Sequence, residues 1–113
     1  VSKTRVILEL GSGNDLHGSD YTKAALRAVQ DALHHSSLSF IRSLNIDKSK
    51  LEVEVTVGVQ RPEQVDLEAV KSSLPVGSVT VRAVKGGLDV VDPENNDPVV
   101  IASAAIAVRI EVT

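Results

Sequence analysis

Thirteen consecutive positions concentrate the residues best able to do chemistry: Gly11-Ser12-Gly13-Asn14-Asp15-Leu16-His17-Gly18-Ser19-Asp20-Tyr21-Thr22-Lys23. Glycines let a backbone turn sharply and approach a ligand closely. A helix begun near Asp20 or Tyr21 directs its first amide groups outward, where they favour an anion. His17 can exchange a proton near neutral pH. Lys23 falls in the first helical turn, where the positive end of the dipole disfavours its charge and suits an amine for base or Schiff-base chemistry. Ser12 and Ser19 bring hydroxyl groups. Each residue also has a plainer reading. Asp20 or Ser19 caps the helix, Asp15 closes the turn on its own backbone, and Lys23 is a solvated surface lysine. A turn needs one or two such residues, and here they all stand together. We therefore assign His17, Asp15, Asp20 and Lys23 as candidate catalytic residues. Gly11, Ser12, Gly13, Gly18 and Ser19 are candidate ligand contacts, and Gly86 and Gly87 approach from a neighbouring strand or subunit.

Known phosphate-binding patterns fit poorly. The third glycine of G-x-G-x-x-G would fall on Leu16, and the chain is too short for a doubled dinucleotide-binding unit. Gly13 and Gly18 have the glycine spacing of a P-loop, but Ser19 stands where its lysine should be. Asp15, His17 and Asp20 offer three oxygen or nitrogen donors that a divalent metal could use. We assign no metal and no cofactor. His34-His35 suits a helix C-terminus. The acidic run Asp89, Asp92, Glu94 and Asp97 lacks the central glycine of a calcium loop and reads as a solvated turn.

Composition narrows the function classes. The chain has 113 residues, a net charge of −3, one Tyr, one Phe and no Cys, Met or Trp. That length suits a single domain, 1–113. Interspersed charges and scarce aromatic residues argue against nucleic acid as a partner. No apolar run reaches the ~20 residues needed to span a membrane, so no membrane partner is expected. Without cysteine there are no disulfides, thiolate metal sites or cysteine nucleophiles. The expected compartment is the cytoplasm. A chain that starts at Val1 and contains no methionine leads us to expect a lost upstream segment, and a plastid after removal of a transit peptide is the alternative. A core built from Val, Leu, Ile and Ala buries little area per residue. We therefore expect a homo-oligomer, for which a trimer-type ring is one form.

These features must be held by a small set of elements. Thr4 to Leu10 alternates, with Val6, Leu8 and Leu10 forming an apolar side, and the glycines then end the strand. Ala25, Ala28, Val29, Ala32 and Leu33 mark a helix from Asp20 or Tyr21 to about His34. Ser36 to Leu44 is a short helix or turn. Leu51 to Val59 is the clearest strand. Leu67 to Leu74 is a helix capped by Asp66, burying Leu67, Val70 and Leu74. Val79 to Val84 is a third strand, bent at Gly86-Gly87 and continued by Leu88 to Val91. Asp92 to Pro98 is a turn, and Val99 to Val112 is a long last strand. The expected fold is α+β: a two-layer sandwich of one four-stranded sheet with two helices on one face, in the order β-α-β-α-β-β. The other face carries Arg5, Glu9, Glu52, Glu54, Thr80, Arg82, Arg109 and Glu111. It is either solvated or turned inward between subunits. Ile101 to Val108, apolar or small on both sides, fits the second arrangement.

The sequence also resembles a conserved hypothetical family first named from a Listeria locus, found in bacteria and, with long N-terminal extensions, in plants. The hallmark G-x-G-x-D-x-H-G is complete here at Gly11, Gly13, Asp15, His17 and Gly18. Asp20, Thr22, Lys23, Ala24, Ala25, Arg27 and Ala28 fit the family as well. So do Val55-Thr56-Val57-Gly58-Val59, Pro62-Glu63 with Val65, Asp66, Ala69, Val70 and Lys71, and Gly86-Gly87-Leu88. The resemblance spans nearly the whole chain. It implies no particular activity, but it does imply that Asp15 and His17 are more than turn decoration. The element order is similar to that of trimeric chorismate-mutase-like and cyclic-amide-hydrolase folds, an analogy of fold only.

Two functions follow as expectations. One is a binding or catalytic site for an anionic or amide-bearing small molecule, with His17 as general acid/base, Asp15 or Asp20 orienting it, and Lys23 and the helix amides holding negative charge. The alternative is a non-catalytic oligomeric structural or interaction protein in which Asp15 and His17 only lock the loop.

Overall fold

The structure, a computed structural model, describes residues 3–16, 18–34, 50–74, 77–91, 93–94 and 98–111. The expected segment from Ser36 to Leu44, His17 and most of the turn between Asp92 and Pro98 lie outside these residues. The elements are β1 (Lys3–Asp15), α1 (Tyr21–His34), β2 (Glu52–Val59), a 3-10 turn (Pro62–Gln64), α2 (Leu67–Ser72), β3 (Ser78–Lys85), β4 (Leu88–Val91) and β5 (Pro98–Glu111). Helices and sheet share one core, so the α+β class holds.

Two expectations about the sheet need correction. The sheet has five strands rather than four, and the element order is β-α-β-α-β-β-β. Strand order across the sheet is β1-β5-β2-β3, with β4 also beside β5. Strand β3 runs parallel to β2 from Glu52↔Ser78 to Val59↔Lys85. After Gly86-Gly87 the chain leaves β2 and pairs with β5 instead, from Leu88↔Ile101 to Val91↔Pro98. The two glycines therefore mark a change of partner, not a bend within one strand. β2 covers β5 only from Ser103 to Arg109, and β4 takes up the stretch that β2 leaves free. Three glycines meet where the chain crosses. A Cβ on Gly86 would sit 3.2 Å from the Cα of Gly58, and one on Gly87 would sit 2.8 Å from its carbonyl oxygen.

The glycines of β1 do not end it. The strand runs through Gly11 and Gly13 to Asp15, paired with β5 throughout. The bonding register slips between Arg5 and Ile7. A bulge of this kind reverses which side chains face the core. Ile7 is buried, while Val6, Leu8 and Leu10 stand 38%, 46% and 64% exposed. Leu8 and Leu10 are paired with Ala107 and Ala105, on the face away from the helices. Glu9 shares the helix side with Ile106 and does not lie on the polar face expected from sequence.

Gly11 and Gly13 admit α1. Alanines at 24, 28 and 32 line the buried side of that helix, and its backbone lies against the strand. A Cβ on Gly11 would meet the Ala32 amide nitrogen at 2.4 Å, and one on Gly13 would meet that of Ala28 at 2.3 Å. The rest of the core comes from Tyr21, Ala25 and Val29 of α1, Leu51, Val53, Val55, Val57 and Val59 in and just before β2, Val65, Val70 of α2, and Val100, Ala102, Ala104, Ile106 and Val108 of β5. Asp66 caps α2 as expected, its side chain accepting from the Ala69 amide at 3.2 Å. Leu67 is 41% exposed, contrary to the expected buried stripe, while Val70 is fully buried and Leu74 packs against the core.

Candidate functional site

The sheet brings two carboxylates to the start of α1. Val100 of β5 pairs with Asp15 on one side and with Asp89 on the other. Directly paired residues share a face. Asp15, Val100 and Asp89 thus form one row on the helix side, with the carboxylates two strand spacings, about 10 Å, apart at the backbone.

Asp15 is 3% exposed and the sole charged residue buried among those described. Its Oδ2 accepts from the Asp20 amide at 2.9 Å. Its Oδ1 lies 3.9 Å from Arg27 Nη1, which also donates to the Asn14 carbonyl at 2.7 Å. Between them, Gly18 and Ser19 take positive φ angles of 93° and 54°, which folds the chain back so that the Asp20 amide reaches Asp15. Asp20 is the helix cap. Its carbonyl accepts from the Ala24 amide at 3.1 Å, and its Oδ1 accepts from the Lys23 amide at 3.0 Å. The two aspartates therefore occupy amides that we expected an anion to use.

Asp89 belongs to the candidate site and not to the solvated acidic turn expected from sequence. It lies on β4, and its Oδ2 accepts a short hydrogen bond from the Tyr21 hydroxyl. Its Oδ1 is buried and has no hydrogen-bond partner among the described residues. Tyr21 is 6% exposed at the first position of α1. The bond to Asp89, burial and the Asp89 charge together hold the Tyr21 hydroxyl above its ordinary pKa of 10.0, against a smaller opposing effect from Arg61. A raised phenol pKa favours the folded state while the group stays protonated, so the contribution is complete below 10 and is lost as pH rises through the raised value.

The remaining predicted residues fall as follows. Gly11 and Gly13 are covered by α1. The Ser12 amide donates to Asp31 of that helix at 2.9 Å. Lys23 is exposed beside a shallow hollow on the outer side of α1, with Leu26, Arg27, Gln30, Asp31 and His34. Gly86 and Gly87 lie one strand beyond β5, and their carbonyls accept from Gln60 Nε2 at 3.1 and 3.3 Å. Among the described residues no three His, Asp or Glu side chains gather as a metal site would require. His17 lies outside the described residues.

Sequence reasoning missed Tyr21, Asp89 and Gln60. The available signal was the pattern Leu88-Asp89-Val90-Val91. An aspartate alternating with apolar residues in a strand must face either water or a partner, and Tyr21 is that partner.

The conserved hypothetical Lin0512 family matches over residues 5–108. The chain belongs to this family. The chain is also similar to a solved structure, that of an FtsZ-like protein of unknown function from Nostoc punctiforme. The two are 38% identical, the alignment covers 98% of each chain, and the TM-score is 0.84. No curated protein matches the chain. No described helix is long and apolar enough to cross a membrane.

Proposed function

We propose that this protein binds a small metabolite carrying amide-type N–H donors, at the N-terminal end of α1 between Asp15 and Asp89. The observation that carries this reading is Asp89 Oδ1, a buried carboxylate oxygen with no donor among the described residues, on a side chain whose other oxygen is held by Tyr21. An acceptor left in that condition costs about 1–3 kcal/mol, and an arriving donor recovers it. Of the two ligand types expected from sequence, the geometry favours the amide-bearing one. Asp15, Asp20 and Asp89 make the helix start acidic, and two helix-start amides are already taken.

The oxygen is covered in the free chain, so binding is coupled to a small opening beside β4. That strand has four residues, and its only strand partner among those described is β5. Short elements with few neighbours open at the lowest cost. His17, two residues after Asp15 in the sequence, is the candidate for proton exchange with the bound group. Lys23 and the carbonyls of Gly86 and Gly87 remain candidate outer contacts.

The test is amide-resolved NMR with 2-imidazolidinone and succinimide as donor-bearing probes, and inorganic phosphate and succinate as anions. The donor probes should shift the amides of Tyr21 and of Leu88 to Val91 and slow hydrogen exchange in β4. Asp89→Asn, which places an N–H where Oδ1 or Oδ2 stood, should abolish both effects. Responses to phosphate alone, or donor-probe responses that survive Asp89→Asn, would overturn the reading.

A further inference from the structure

The sheet face away from the helices is apolar along much of its length. Leu8, Leu10, Val84, Leu88 and Val90 are 46%, 64%, 41%, 54% and 43% exposed. Their register places them together. Leu8 and Leu10 pair with Ala107 and Ala105, Val84 pairs with Gly58, and Leu88 and Val90 pair with Ile101 and Val99. The face has relief. A ridge made by Leu8 and Leu10 stands along β1. Beside it runs a trough of about 370 Å³ lined by Thr56, Gly58, Ser103 and Ala105, with Leu10 and Val84 on its rims. Several charges at the other end of the face are paired within the chain, Lys3 with Glu52 at 2.7 Å and Arg109 with Glu54 at 2.9 Å.

We infer that this face is the contact between two copies of the chain, packed sheet to sheet about a two-fold axis running along the strands. Two observations select a second copy. A ridge and a trough on one face complement each other under a two-fold, which seats each copy's Leu8 and Leu10 in the other's trough, as an isologous interface requires. The internal ion pairs leave a nearly neutral surface that can meet its own image without like-charge repulsion. β5, small or apolar on both faces between Ile101 and Val108, then lies between two covered surfaces.

The test is sedimentation equilibrium of the intact protein across a hundredfold concentration range. The expected result is a species of twice the 12.0 kDa chain mass. Leu10→Lys and Ala105→Glu should each give a monomer with unchanged circular dichroism, and an equimolar mixture of the two should re-associate, because each lysine then meets a glutamate across the two-fold. Leu67→Lys, an exposed leucine on α2, should leave the dimer intact. A wild-type monomer at every concentration would overturn the inference and leave the face to a different partner. So would an oligomer that survives both variants, or variants that fail to re-associate on mixing.

Discussion

Gly13→Ala should remove most of the stability of the fold. The added methyl group would sit 2.3 Å from the Ala28 amide nitrogen and 2.6 Å from the Ala24 carbonyl oxygen. Both obstacles are helix backbone, so no rotamer change relieves the clash. α1 must move away from β1, and doing so opens the layer formed by Ala24, Ala28 and Ala32, each fully buried. Overpacking ordinarily costs 1–3 kcal/mol, and separation of packed backbones adds to it, so about 3–5 kcal/mol is expected. For a domain with a total stability of ~5–15 kcal/mol this is a large fraction, and the thermal midpoint should fall by more than ~10 °C. Denaturant melts of Gly13→Ala and Ser12→Ala check the assignment. Ser12 is exposed and bonds to Asp31 through its backbone, so its substitution should change stability by ~0.5 kcal/mol or less. Equal, small effects at both positions would return Gly13 to the list of ligand contacts.

Gly87→Ala should cost a similar amount for two separate reasons. Gly87 has a φ of +63°, where an L side chain is strained, and its Cβ would stand 2.1 Å from the Ile101 carbonyl oxygen. The conformational part alone is about 1 kcal/mol, and the clash brings the total to about 3 kcal/mol or more. Here the damage is local in kind. The crossing from β2 to β5 would be displaced, and β4 would lose its register with β5. Since Asp89 sits two residues along, the Tyr21–Asp89 bond should be lost with it. Stability and the ionisation of Tyr21 should therefore change together in Gly87→Ala.

The parts of the fold set by neighbouring residues were legible in the sequence. Asp66 and Asp20 cap their helices because a cap is a bond to an amide three residues on. The valines of β2 alternate cleanly, and they are buried as that alternation requires. What the sequence hid depends on distant partners. The slip near Val6 exchanged the two faces of β1, so its apolar stripe lies on the open side while Ile7, Gly11, Gly13 and Asp15 face the helix. The glycines of β1 resemble a strand terminator until they are matched with Ala24, Ala28 and Ala32, whose four-residue spacing complements them. The departure of β4 from β2 is set by the free stretch of β5, which no local signal near Gly86 announces. The candidate site divides in the same way. Asp15 and Asp20 were found, but their visible work is to hold the turn and start the helix. Asp89 was dismissed because its partner Tyr21 is 68 positions away.

Tyr21 and Asp89 form a buried pair that sets the character of the proposed site. Tyr21 is the only tyrosine and there is no tryptophan, so the near-ultraviolet absorbance of phenolate reports this one group. A pH titration of the folded protein should give a midpoint above 10.0, and Asp89→Asn should bring it back toward that ordinary value. A wild-type midpoint at the ordinary value, unmoved by Asp89→Asn, would contradict the pair and with it the site proposed around it.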